Sequence, residues 1–164
     1  YFPNIDAVAY LCKEIMPKLR EKYPNIKVFI VGANPNRQIK SLTEDGKVIV
    51  TGFVEDIRQY LNRAKIFVAP LRSGSGIQNK ILEAMACGLP VVTTTYGNAG
   101  IGAEEEKQIV VRDDSGEITQ AIIDLLEDEN KRNKLGGAAR ELVEKDFSWA
   151  NRAQAIEEIY RGLN

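Results

Sequence analysis

The stretch KIFVAPLRSGSGIQNKILEAMACGLPVVTT, Lys65 to Thr94, decides the fold. Lys65 to Pro70 and Pro90 to Thr94 are short, β-branched apolar runs, too apolar for strands with one wetted face, and they read as buried parallel strands. Between them, Ile77 to Cys87 has helical spacing. A strand, a glycine-punctuated loop, a helix and a second strand make one crossover unit, which winds right-handed.

The same alternation extends outward. Lys27 to Gly32, Lys47 to Phe53 and Gln108 to Val111 are further strands. Ile5, Val8, Leu11, Cys12, Ile15 and Leu19 form one helical stripe, in which Pro17 predicts a kink or break. Val54 to Ala64 and Glu117 to Leu126 are helices, and past Glu127 two more follow without a strand, Asn130 to Lys145 and Ser148 to Leu163, the last with Ser148 as its N-cap. Strands alternating with helices imply an α/β fold, a Rossmann-like doubly wound parallel sheet, in a single domain over residues 1–164. The chain enters a helix almost at once, near Pro3-Asn4, whereas a doubly wound domain usually opens on a central strand. The expectation is that a first strand precedes Tyr1 in a longer protein.

Composition narrows the function. With 22 basic against 23 acidic side chains in 164 residues, no global field collects nucleic acid or an anionic membrane, so any anion site is local. The two cysteines, Cys12 and Cys87, sit in apolar helical patterns and read as small packing residues of a reducing, cytoplasmic compartment. There is no apolar run of membrane-spanning length and no signal-peptide layout. Histidine is absent altogether, which removes the commonest general base and the commonest metal ligand.

In an open parallel sheet, ligands bind beyond the carboxyl ends of the strands, which is where Arg72 to Gly76 lies. Free N–H groups and the positive dipole end of the Ile77 helix suit a phosphate without a metal, and Gly74 and Gly76 allow close approach of a ligand to the backbone. At about 100° per residue, Ile77, Ile81, Leu82, Ala84 and Met85 share one arc of this helix and Asn79, Lys80 and Glu83 the other. Gln78 falls in the apolar arc. Asn79, Lys80 and Glu83 form either a solvated face or a polar ligand-facing row. The second reading is favoured because the helix is otherwise apolar and closely flanked by strands, leaving little room for a freely solvated Glu83. Gly74-x-Gly76-x-x-Asn79 lacks the third glycine of a dinucleotide fingerprint, and no Walker loop is present.

Leu82 to Val92 (LEAMACGLPVV), with Val50 to Leu71, Lys27 to Pro35 and the closing Phe147-Ser148-Trp149, resembles the C-terminal, donor-binding domain of retaining GT-B glycosyltransferases of the large family-four type. Gly76 to Met85 is similar to the signature G-I-Q-N-K-x-L-E-A-M of a bacterial branch tied to exopolysaccharide or cell-surface glycan assembly. The resemblance implies that Glu83 holds the donor ribose. The group's other glutamate, eight positions earlier, falls on Ser75, which offers the sugar a neutral hydroxyl. Backbone amides of Ile77, Gln78 and Asn79 would contact sugar and diphosphate, with Gln78 at a usual glycine, and main-chain groups of Phe53 and Val54 would read the base. The group's basic pair would precede or overlap Tyr1 to Asn4, where no lysine or arginine stands, so neutralising the diphosphate would fall to Lys80, Arg72 or residues outside this sequence.

The resulting expectation is a metal-independent glycosyltransferase half that binds a nucleotide-diphosphate sugar and takes no other cofactor. Its partner would be an N-terminal acceptor-binding domain of the same protein, which would also make any membrane contact, at the inner face. An isolated fragment would bind donor without turning it over. A nucleotide-sugar epimerase of the same fold is disfavoured by the lack of histidine, and a catalytically silent regulatory or scaffolding domain is the remaining alternative. Trp149, Tyr160 and the Glu104 to Glu106 cluster read as packing and solvated loop. Gly97 to Gly102 reads as a flexible loop at the cleft border.

Overall fold

The computed structural model describes residues 2–43 and 46–148. Trp149, Tyr160 and the helix expected from Ser148 to Leu163 lie outside or at the limit of the described residues.

Helix α1 (Phe2–Tyr10) does not break ahead of Pro17. It runs through a π-helical stretch, Leu11–Ile15, into α2 (Met16–Lys22). Pro17 has no N–H to offer the carbonyl four residues back, and the chain widens by one residue there, the Met16 N–H bonding to the Leu11 carbonyl. Strand β1 (Val28–Val31) pairs in parallel with β2 (Val48–Gly52). The short α3 (Arg37–Lys40), capped by the Asn36 side chain on the Ile39 N–H at 2.9 Å, lies between them. Of the helix expected over Val54 to Ala64, only α4 (Arg58–Leu61) forms. Asp56 accepts from the Arg58 N–H at 2.9 Å, a local bond that holds the preceding residues in a turn.

The remaining elements are β3 (Phe67–Ala69), α5 (Asn79–Ala86), β4 (Val91–Thr93), α6 (Thr95–Asn98), β5 (Val110–Val111), α7 (Ser115–Glu127) and α8 (Glu129–Asp146). Helices α7 and α8 start where side chains cap them: Asp114 accepts from the Gly116 and Glu117 N–H groups and Asp128 from that of Lys131. Gly88, with φ of 72°, ends the α5 turn after Cys87. The region expected to be a flexible loop begins as α6, which contains Gly97. It is then pinned by Asn98, whose side chain bonds both the carbonyl and the N–H of Ala103.

Strands β3, β4 and β5 form a parallel sheet in that order. Alternation along them sends side chains to opposite faces. Val92 and Val110 join Leu11, Ile15, Met16 and the apolar stripe of α7 in one core, while Val91 and Ile109 join Ile81, Met85 and Ala139 in another. Helices therefore cover both faces, which is the doubly wound arrangement.

The parallel strands form two ladders, β1–β2 and β3–β4–β5, and among the described residues no ladder joins β1 to β3. Val28 of β1 and Val68 of β3 nevertheless pack on the same core.

Candidate functional site

The loop from Arg72 to Gln78 leaves the carboxyl end of β3 and enters α5. Two glycines shape it, Gly74 at φ 124° and Gly76 at φ 79°, both in the region that disfavours side chains. Two buried threonines at the end of β4 hold its root: Thr93 donates to the Ala69 carbonyl at 2.7 Å and Thr94 to that of Leu71. Thr94 also accepts the Gly97 N–H, capping α6. The chain after α6 buttresses the loop from the far side. A side-chain carbon at Gly100 would lie 2.4 Å from the Gly76 carbonyl oxygen and 2.8 Å from the Ile77 nitrogen, so this close approach requires glycine.

Helix α5 begins at Asn79, two residues later than the sequence spacing predicts. Ile77 consequently sits on the loop, half exposed, and does not join the apolar arc of Ile81, Ala84 and Met85. Gln78 takes the N-cap position without donating or accepting a side-chain cap bond, which leaves the N–H groups of Asn79 and Lys80 uncapped, while that of Ile81 bonds the Gln78 carbonyl. Its side chain turns inward and is 8 % exposed, with Nε2 3.4 Å from the Gly76 carbonyl and Oε1 accepting from Lys80 Nζ at 2.8 Å.

Lys80 is the second residue of the helix and is half-buried. It does not take the i,i+3 pairing with Glu83: among the described residues no carboxylate pairs with it. Burial pushes its pKa below the usual lysine value. Asn79 and Glu83 are exposed. For Glu83 this corrects the expectation that packing would keep it from solvent, because its arc of α5 faces outward.

Arg72 is committed elsewhere. Its guanidinium makes a two-pronged pair with Asp6 of α1, Nε to Oδ2 at 2.9 Å, and stacks 4.6 Å from the centre of the Tyr10 ring. The Arg72 hydrogen bonds hold the Asp6 carboxyl below the usual carboxylate pKa. Ser75 and Gly76 are exposed on the loop. Phe53 and Val54 leave the carboxyl end of β2, in the other ladder, with Phe53 77 % exposed and Val54 half-buried. The structure thus brings Gly76, Gln78 and Lys80 into one bonded group and draws Arg72 away from it.

Two concavities, of about 210 and 420 Å³, lie away from this loop. The first contains Glu106, Arg112 and Lys131, which satisfy one another as ion pairs. The second lies by Lys65 and Pro90, at the amino ends of β3 and β4. The loop itself is exposed at Ser75, Gly76 and Ile77. Among the described residues no cluster of Cys, Asp and Glu gathers in a way that would hold a metal ion, and no helix is long and apolar enough to cross a membrane.

Parallel strands between two helical layers define an α/β domain, and at the carboxyl-end loop Lys80 bonds a neutral amide, with no carboxylate partner among the described residues. The chain belongs to the glycosyl transferases group 1 family, whose model matches residues 1–128. It is 30 % identical over 162 residues to a GDP-mannose-dependent alpha-(1-6)-phosphatidylinositol monomannoside mannosyltransferase of Mycolicibacterium smegmatis, covering 90 % of this chain and 42 % of that protein. It is 28 % identical to the monoacylated-substrate counterpart of Corynebacterium glutamicum, covering 88 % and 41 %. The crystal structure of Anabaena HepE in complex with UDP shares the fold, with a TM-score of 0.77 at 22 % identity over 90 % of this chain and 44 % of that one. Sucrose-phosphate synthase from Thermosynechococcus elongatus matches with a TM-score of 0.75 at 25 % identity, over 92 % and 41 %. The fold is that of GT-B glycosyltransferases, and the chain spans less than half the length of these relatives.

Proposed function

We propose that this chain is the donor-binding half of a retaining glycosyltransferase that takes a sugar from a nucleotide diphosphate and delivers it to a glycan or lipid-linked acceptor. The observation that carries the reading is Lys80: a half-buried ammonium at the N-terminal end of α5, where the dipole repels it, with a neutral amide as its bonded partner. A cation kept there against its field is explained by an anion that binds between them. Departure of the diphosphate is the difficult step of sugar transfer. The uncapped N–H groups of Asn79 and Lys80, the dipole and the Lys80 ammonium would stabilise the charge that develops, without metal or cofactor.

Glu83, exposed one turn below, would accept the ribose hydroxyls, and Ser75 with the amides of Ile77, Gln78 and Asn79 would face sugar and diphosphate. Phe53 and Val54 would meet the base. Arg72, bound to Asp6, serves to fasten the loop to α1 and leaves the diphosphate to Lys80. A first strand from a preceding segment would join β1 to β3, and a preceding acceptor-binding domain would close over the loop and make any membrane contact from the cytoplasmic side. The family and the UDP-bound or GDP-mannose-named relatives support a nucleotide-sugar ligand, and the signature at Gly76 to Met85 supports a role in bacterial surface-polysaccharide assembly. The test is titration of the chain with UDP- and GDP-sugars. Saturable binding that is lost in Lys80→Ala is expected, and its absence would sink the reading.

A further inference from the structure

Lysine is an adverse choice for the first turn of a helix. The open N–H groups and the dipole present positive potential, and burial has already stripped the Lys80 ammonium of part of its water. Gln78 compensates for this in a specific way. Its amide oxygen fixes the ammonium at 2.8 Å, yet an amide carries no charge, so the position of the cation is set while its charge is left unspent. A carboxylate at this site would hold the ammonium more firmly and cancel it.

The amide is itself held. The side chain is buried at 8 % exposure, Nε2 reaches the Gly76 carbonyl at 3.4 Å, and the Gln78 carbonyl accepts the Ile81 N–H at 2.8 Å as the first bond of α5. These contacts couple the amide to the left-handed turn at Gly76 on one side and to the helix start on the other. Arg72, at the other end of the loop, differs: its guanidinium is matched to the carboxylate of Asp6.

We propose that Gln78 is a positioning residue that holds the Lys80 ammonium, preorganised and uncompensated, for the diphosphate of the donor. This rests on the reading of the loop as the donor site. Gln78 acts through Lys80 and tunes selectivity for diphosphate over uncharged nucleoside.

The experiment titrates the 164-residue chain with UDP and GDP, and in parallel with uridine and guanosine, by NMR. It compares the parent with Gln78→Glu, Gln78→Leu and Lys80→Met, following thermal unfolding of each. Gln78→Glu is expected to bind the diphosphates about tenfold more weakly, the scale of one compensated charge pair, with nucleoside affinity unchanged. Its melting temperature should hold or rise, since a carboxylate suits a helix N-terminus. Binding and stability then move in opposite directions, which a purely structural role does not produce. Gln78→Leu keeps the packing, loses the anchor, and should weaken the diphosphates several-fold at unchanged nucleoside affinity. Should Gln78→Glu bind diphosphates as tightly as the parent, or lose both ligand types in equal proportion, the positioning role is overturned while the donor site stands. Failure of the parent to bind any diphosphate overturns both.

Discussion

Replacing Gly100 by alanine tests the loop without touching a residue proposed to meet the donor. The added carbon would sit 2.4 Å from the Gly76 carbonyl oxygen, 2.5 Å from its carbonyl carbon and 2.8 Å from the Ile77 nitrogen. All three are backbone atoms, so no flexible side-chain end can swing aside. Restoring ordinary contact requires the Gly76–Ile77 peptide to retreat by about 1 Å. If the structure resists, overpacking of this kind costs about 1–3 kcal/mol of stability. If the loop yields, the Ile77 amide and the Gln78 cap leave their places, and misplacement on that scale should lower nucleoside diphosphate affinity about tenfold or more. Calorimetric unfolding and NMR titration with UDP and GDP measure the two effects. Gly137→Ala in α8 is the control, because a carbon there meets nothing within 4 Å, and helix propensity makes that change neutral or stabilising by up to about 1 kcal/mol. Unchanged stability together with unchanged affinity in Gly100→Ala would refute the claim that the segment after α6 buttresses the loop.

Glu83→Gln should weaken nucleoside diphosphate binding by about 1.5–3 kcal/mol, the range of a charge-assisted hydrogen bond. Because Glu83 is exposed, its stability should stay within about 0.5 kcal/mol of the parent; equal affinity of the two proteins in calorimetric titration would return Glu83 to a solvated surface role. Donor affinity should survive excess chelator, and a large loss on chelation would count against a site built from amides and a lysine. Asp6→Asn should destabilise the chain by up to about 1 kcal/mol at pH 7, as a two-pronged but partly solvated ion pair allows. Since the folded-state pKa of Asp6 is lowered by Arg72, that contribution is complete above about pH 4 and disappears as the pH falls through the folded value. Melting curves from pH 7 to pH 2 should therefore converge for variant and parent, and a gap that persists at the acid end would show that the pair is not its source.

The sequence by itself determined the strand runs along the chain, the helices at Ile77 to Cys87, Glu117 to Leu126 and Asn130 to Lys145, and the place of the loop. These follow from spacing within a few residues: β-branched runs for strands, i, i+3, i+4 patterns for helices, and glycines where the backbone turns left-handed. Even the inward position of Gln78 was legible, since it projected into the apolar arc, although its partner was not. Boundaries failed where a local side-chain bond competed with periodicity, as at Asp56, and where a left-handed glycine turn at Gly76 precedes the late start of α5. The tertiary structure alone decided that Arg72 pairs with a carboxylate and that Lys80 bonds a neutral amide. Arg72 meets Asp6 across 66 positions of sequence, and Gly100, in the turn after α6, meets the Gly76–Ile77 peptide. Local pattern encodes which face of an element is buried because the backbone period is fixed. It does not encode which charged groups from distant elements come within hydrogen-bonding reach, because that depends on how the helices and strands pack as a whole.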